Sequence, residues 1–418
     1  MNFLRKKTRP ILRGLVAAMS GVLFASCSSV KDVARDNAAA QAHMLAQRLL
    51  VLDSHLDVPH RLMTRMTDVS ERTFSTDFDY VRAREGGLKV AFCAVYTPQR
   101  FEASGGAREH ALRQIALTEG LAQRWPSKFS LVTTPREIRA RLGGEHVMLA
   151  LGMENGIPLE DDTANVRSFY DRGIRYITLV HTRANRLADA SFDTTRPWNG
   201  LSPFGRDVIA AMNRIGMMID VSHMSDSAFY QTVRLSRAPV VATHSACRAF
   251  TPGFERNMSD AMIRALAASG GVIQINFGSM FLVDSLRRRM DKAGAAINGY
   301  LREHSLHYLD EEAMAYARRY RKEQGIPYAT AKDVARHIDH VVKLVGIDHV
   351  GLGSDFDGLG DDLPDDVKDV SGYPAIIREL LLLGYDDAAI AKVCGENFMR
   401  VWTRVNDVAE RDNGLETR

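Results

Sequence analysis

Along the chain, short apolar runs rich in Val and Ile alternate with stretches of helical spacing, and each run is bounded by polar residues or Gly. In order the runs are Leu49–Asp53, Leu88–Tyr96, His146–Met153, Tyr176–Val180, Met217–Val221, Val240–Thr243, Gly271–Phe277 and His349–Ser354. They are close to continuously apolar, the pattern of strands covered on both faces in a parallel sheet. Helical patterns lie between most of them, at Arg108–Arg124, Pro135–Leu142, Thr163–Arg172, Ser202–Ile215, Ser225–Leu235 and Ser259–Ala268. Eight strand–helix units with right-handed crossovers predict an α/β protein, a (β/α)8 TIM barrel. An open doubly wound sheet is the fallback, but no Gly-x-Gly-x-x-Gly fingerprint supports a nucleotide-binding version of it.

The longest connection, from about Met280 to Ile347, holds a polar helical stretch (Asp310–Gln324), a Gly-Ile-Pro break at 325–327 and an amphipathic helix opened by Thr330-Ala331-Lys332-Asp333. That tetrapeptide reads as a capping box with Asp in place of Glu. The segment is expected to form a helical insertion between strands 7 and 8 that covers the barrel mouth.

The first residues read as targeting rather than fold. Arg5, Lys6, Lys7, Arg9 and Arg13 precede an apolar stretch from Leu15 to Ala25, too short for a membrane-spanning helix, which ends in Leu23-Phe24-Ala25-Ser26-Cys27. Small residues before a cysteine resemble a bacterial lipoprotein signal; Phe24 departs from the usual pattern and leaves plain signal cleavage as the alternative. The expected organisation is a signal peptide over 1–26, a polar tether or first helix over 27–45, a barrel over 46–405 and a tail over 406–418. The chain is then exported to the cell envelope or periplasm, touching membrane only through a lipid anchor on Cys27. Losing this leader removes five basic residues and no acidic one, turning a formal charge of +3 into −2. No nucleic-acid partner is therefore expected, while a homodimer stays open. Beyond Cys27 only Cys93, Cys247 and Cys394 remain, one disulfide at most, so stability must come from the core.

Barrel enzymes build their sites at the C-terminal ends of their strands. There this sequence carries Asp53, His55 and Asp57 (strand one), Glu154 (three), His181 (four), His223 (five), His244 (six) and Asp355 (eight). His55 and Asp57, two apart on an extended segment, face the same way at about 6–7 Å and can grip one ion. Any one of the four histidines alone would read as an ordinary core or loop residue. Together with Asp57, Glu154 and Asp355 in one layer, they would cost several kcal/mol to bury unless cations satisfied them, and Zn²⁺ suits this mixture of imidazole and carboxylate. His60 in the loop after Pro59, His337 and His340 on a solvated or core-edge helix face, and His349 opening a strand are excluded as ligands.

These stretches resemble the membrane (renal) dipeptidase family of zinc-dependent peptidases, in the amidohydrolase-like barrel superfamily. The resemblance is carried by Asp53-Ser54-His55-Leu56-Asp57, Gly152–Gly156, Leu179–Asn185, Ile219–His223, Ala242–Ser245, Arg256-Asn257, Asp333–His340 and Gly353–Gly358, and extends from about residue 45 to Val401. It implies two zinc ions, His55 and Asp57 on the first, His223 and His244 on the second and Glu154 bridging both. It also implies hydrolysis of dipeptides through a metal-bridging hydroxide. Asp355 would move the proton, His181 would donate to the oxyanion and Arg256 would clamp the substrate carboxylate. Asp53 and Asn185 would orient ligands or serve as plain structural hydrogen-bonding groups. In one departure, the family often has a Tyr after the Asn-Phe of strand seven, where Asn276-Phe277 is followed by Gly278.

Two other readings remain open from the sequence. A metal-dependent amidase or lactonase of the same superfamily would have little use for Arg256, and a non-catalytic metal-binding surface lipoprotein would need neither Asp355 nor His181.

Overall fold

The computed structural model describes residues 35–412 and 414. The signal expected over 1–26 and the Cys27 anchor lie outside them. Among the described residues no helix is long and apolar enough to cross a membrane.

Nine parallel strands form the sheet: β1 (Val51–Leu56), β2 (Leu88–Tyr96), β3 (Phe129–Leu131), β4 (Val147–Glu154), β5 (Ile174–Thr178), β6 (Met218–Asp220), β7 (Val241–Ser245), β8 (Val272–Ile275) and β9 (Val350–Leu352). Eight follow one another in the order β1-β2-β4-β5-β6-β7-β8-β9, and β3 pairs beside β4, off that path. The curl nearly closes. Beyond β9, Phe356 bridges Leu56 in parallel. Asp57 N–H donates to the Phe356 carbonyl at 2.8 Å, and Asp355 N–H donates to that of His55 at 3.0 Å. The expected barrel is thus present with one unforeseen strand: Phe129-Ser130-Leu131 is broken by a polar residue and offers no continuous apolar run.

The period of two along the strands sorts the core. Ala91, Cys93 and Val95 of β2 pack outward under the helices, whereas Val90 and Phe92 turn inward with Met148, Ala150, Tyr176, Met218, Val241 and Val272. The C-terminal helix Asn397–Asp412 plugs this inner cluster from below. Phe398 and Trp402 meet Phe92 at centroid distances of 5.2 and 5.3 Å. Serines close three of the strand-to-helix loops as N-caps: Ser202, Ser225 and Ser259 accept from the N–H groups of Gly205, Ala228 and Met262.

Several boundaries move. β1 runs on to Leu56 instead of stopping at Asp53, so His55 sits within the strand. Residues 35–48 form a helix whose Ala42, Leu45 and Ala46 are buried in the core, so the expected tether ends well before 45 and the first-helix alternative holds there. The C-terminal helix passes through the expected tail boundary. His60 lies in the helix Val58–Thr64, which starts directly after Asp57 with Pro59 in its first turn, and not in a loop. The three cysteines beyond Cys27 are free and buried.

The insertion between β8 and β9 is helical: Ser279–Leu282, Asp284–Glu303, Glu311–Glu323 and Ala331–Val345. Thr330 and Asp333 form the expected capping box, with Thr330 N–H donating to Asp333 Oδ2 at 2.9 Å. His337 is fully buried, inside the core rather than on a solvated or core-edge face. Its Nδ1 accepts from Cys247 N–H at 3.0 Å, and its Nε2 lies 2.9 Å from the Leu282 carbonyl, tying this last helix to the barrel. His340 faces Asp260 Oδ1 at 2.8 Å, and His349 Nδ1 lies 2.8 Å from the Gly271 carbonyl.

Candidate active site

The inward row of β4 runs Met148, Ala150, Gly152, Glu154, rising from the apolar floor to the mouth. Gly152 is there because the Tyr176 ring crosses it; a Cβ would lie 2.0 Å from that ring. Glu154, buried at the top of the row, meets histidines from several strands. Its Oε1 lies 3.1 Å from both His223 Nε2 and His244 Nε2 and 3.7 Å from His181 Nε2, while Oε2 lies 3.6 Å from His55 Nε2. Asp57 Oδ2 is 3.7 Å from the same His55 nitrogen. Three overlapping groups of donors result, His55–Glu154–His244, Glu154–His181–His223 and His55–Asp57–Asp355. The expected residues therefore converge, with His244 lying between the two halves: its ring centroid is 3.7 Å from that of His55 and 4.9 Å from that of His223.

This donor set fits divalent cations. The Nε2 atoms of His223 and His244 point at one another across 2.8 Å, and His55 Nε2 is buried with no hydrogen-bond partner among the described residues. Burial and the nearby Arg256 guanidinium hold the His223 ring well below the usual range; burial and His55 do the same for His244. Both rings are then neutral, the form in which imidazole can ligate a metal. Burial opposes the charge on Glu154, but the surrounding histidines outweigh it and keep the carboxylate ionised. Burial likewise opposes charge on His55, yet the Glu154 and Asp57 carboxylates raise it well above the usual range, the same potential that draws a cation.

Residues beneath orient these side chains. Asp220 accepts from Thr243 Oγ1 at 2.7 Å and Thr243 N–H at 2.9 Å, and also from Thr178 Oγ1. Having given its proton to Asp220, the Thr243 hydroxyl can only accept from His244 Nδ1, 2.8 Å away. That fixes the tautomer and leaves the Nε2 lone pair facing Glu154. Tyr176 Oη holds His55 Nδ1 at 2.9 Å. Asp53 accepts from His55 N–H at 3.1 Å, Ser354 N–H at 3.0 Å and Tyr373 Oη at 2.7 Å, which secures the β1–β9 seam. Among the described residues no hydrogen bond links the Asn185 side chain to a candidate ligand. Its amide donates to Asn155 Oδ1 at 2.9 Å and the Leu179 carbonyl at 2.8 Å, holding the loop beyond Glu154.

Asp355 stands over the His55–Asp57 pair, accepts from Asn276 Nδ2 at 2.8 Å, and is pushed well above the usual carboxylate range by burial and by Asp57. Gly358 permits this crowding: a Cβ there would lie 2.3 Å from Asp57 Oδ2 and 2.4 Å from Asp355 Oδ1. His181 packs between Tyr96 and His223, and burial lowers its pKa, leaving a neutral ring. Arg256 is 3 % exposed. It donates to Ser245 Oγ at 3.1 Å and the His244 carbonyl at 2.6 Å, lies 3.1 Å from His223 Nε2, and leaves Nε unpaired. Beside it, Phe281 fills the space over Gly278, where a Cβ would lie 2.5 Å from the phenyl ring. The cavity above these groups, about 190 Å³, is also lined by Phe192 and by Tyr308 from the insertion.

A parallel barrel with carboxylates and histidines converging at its C-terminal mouth defines a metal-dependent hydrolase. The sequence model of the membrane dipeptidases (peptidase family M19) matches residues 39–416. The chain belongs to that family and is a peptide hydrolase of the metallopeptidase kind. Dipeptidase 3 of Mus musculus is 29% identical over 385 residues, covering 90% of this chain and 68% of its own. The crystal structure of the probable dipeptidase PvdM from Pseudomonas aeruginosa superposes with a TM-score of 0.77 at 29% identity, covering 90% of this chain and 100% of its own. A metallopeptidase from Rhodobacter sphaeroides, solved with a phosphinate mimic of the dipeptide L-Ala-D-Ala, gives a TM-score of 0.69 at 25% identity, covering 86% of this chain and 99% of its own.

Proposed function

We propose that the chain is a two-zinc dipeptidase that hydrolyses the peptide bond of substrates carrying a free carboxylate. His55 and Asp57 would hold one cation, His223 and His244 the other, with Glu154 offering one oxygen to each, an arrangement supported by the opposed contacts of Oε1 and Oε2. When bound, the cations supply Lewis-acid charge and bring the pKa of water towards neutrality. Asp355, with its raised affinity for a proton, would accept one from the attacking water and return it to the leaving amine. The neutral His181 ring would donate an N–H to the oxygen of the scissile carbonyl as charge develops there.

The observation that carries the substrate assignment is Arg256. Among the described residues its hydrogen bonds go to a hydroxyl, a carbonyl and a ring nitrogen, so a buried guanidinium faces the cavity without a carboxylate partner. A planar cation in that state suits bidentate capture of a carboxylate. The dipeptide mimic bound by the Rhodobacter relative supports the same substrate class. Arg256→Ala should lower kcat/KM for dipeptides by about 10²–10³-fold, the cost of leaving a buried charge unpaired. Steady-state turnover checks this, and a variant near wild type would remove the carboxylate clamp from the reading and favour an amidase or lactonase.

A further inference from the structure

A second cavity, of about 420 Å³, adjoins the catalytic one, and both are bordered by Tyr96 and Tyr308. Three histidines (His60, His110 and His307) and two arginines (Arg100 and Arg113) line it, together with apolar groups and no acidic residue. His60 is 8 % exposed and His110 6 %. Both ring nitrogens of His60 and the Nε2 of His110 are buried without hydrogen-bond partners among the described residues. Nitrogens left so are destabilising, and a ligand with acceptor oxygens would satisfy the N–H that each neutral ring presents.

The direction of the substrate follows from ring contacts along one wall. Arg256 lies against His223 at 3.1 Å. His223 meets His181 at a centroid distance of 4.3 Å, His181 meets Tyr96 at 4.8 Å, and Tyr96 meets His60 at 4.9 Å. Arg256 and His60 thus mark opposite ends, with the Glu154 cluster between them. With the substrate carboxylate on Arg256 and the scissile carbonyl near His181, the amino-terminal residue extends towards Tyr96. Its side chain then has the second cavity before it.

We propose that this cavity is the subsite for the side chain of the amino-terminal residue and that it selects an acidic one. The inference rests on the dipeptidase reading above. Neutral histidines donate through one ring nitrogen, the arginines supply the charge, and among the described residues no acidic side chain lines the cavity beside them. Tyr308, delivered by the loop between two insertion helices, forms the partition between the two cavities.

The test compares Glu-Ala with Gln-Ala, which differ by a charge at nearly equal shape, on zinc-loaded wild-type protein and on an Arg100→Gln/Arg113→Gln double variant. Wild type should prefer Glu-Ala in kcat/KM by about tenfold, what one charge-assisted hydrogen bond contributes, and the double variant should lose that preference. Equal turnover of the two substrates by wild type, or an unchanged ratio in the variant, would overturn the proposal. If neither these substrates nor Ala-Ala is turned over, the dipeptidase reading itself fails. Calorimetric titration with glutarate then decides the pocket separately: weaker binding to the double variant upholds it, and equal binding rejects it.

Discussion

The floor and the mouth of this barrel are built from the same strands and obey opposite rules. On β5, β6 and β7 the inward residues change from Tyr176, Met218 and Val241 to Thr178, Asp220 and Thr243 within a single pleat. Below that line the side chains are apolar and close-packed around Phe92, Phe398 and Trp402. Above it sit Glu154 and the histidines, and the backbone itself is strained. Asn155, His223, Asp355 and Asp357 all have φ between 65° and 70°, a region that costs a non-glycine residue about 1 kcal/mol or more. The floor contains no such residue among those described. Among the described residues, buried nitrogens without a partner gather at the mouth on His55, His181, His223 and Arg256, with Gln274 Nε2 in the polar layer between and the Trp402 indole below. The molecule concentrates its stability in one half of the barrel and holds its unsatisfied groups in the other.

Substitutions in the two halves should therefore fail differently. The largest effect expected is that of Glu154→Gln, which keeps the shape of the side chain and removes the charge shared by the histidines. Turnover should fall by at least about 10³-fold, since several kcal/mol of electrostatic stabilisation would depend on the cations proposed there. Metal analysis should find less than the two zinc equivalents proposed for wild type, while the unfolding midpoint of the metal-free protein changes little. Trp402→Ala should do the reverse. Emptying that buried volume costs about 3–5 kcal/mol of stability, seen as a lower unfolding midpoint in denaturant, with kcat and zinc content retained while the protein is folded. If Trp402→Ala abolished zinc binding in folded protein, floor and mouth would not be separable.

The same line separates what the sequence disclosed from what it hid. The strands were legible because their cores are uninterrupted apolar runs, and β2 lies where the run Leu88–Tyr96 put it. The candidate ligands stood out because each follows such a run, and the structure brings them together. His60 misled because Pro59 reads as a breaker, although Pro is favoured in a helix's first turn. Tyr308 carries no sequence signal: it lies in a polar insertion, and only the packing of two helices brings it to the cavity. The exchange of a family Tyr for Gly278 left the shape of the carboxylate pocket open; in the structure the Phe281 ring, three residues on, packs where a Cβ at 278 would lie. Positive φ at His223 and Asp355 was equally hard to read: His and Asp are enriched at such angles, but far too weakly for one residue to predict it.

Asp220 is the residue for which a signal existed and was not used, an acid inside the apolar run Met217–Val221. Its role yields the mildest prediction. Thr243→Val removes the hydroxyl that passes Asp220's demand for a proton to His244 Nδ1. The ring is then free to carry its proton on either nitrogen, and half of that freedom opposes metal binding. Losses of this kind typically lower metal affinity by about 10–100-fold. Titrating activity against buffered free zinc should show that shift, with kcat at saturating metal near wild type because Thr243 is not assigned to contact the substrate. An unchanged zinc titration would mean that Glu154 and the cation orient His244 unaided, and the polar layer would then belong to the floor's packing rather than to the mouth's chemistry.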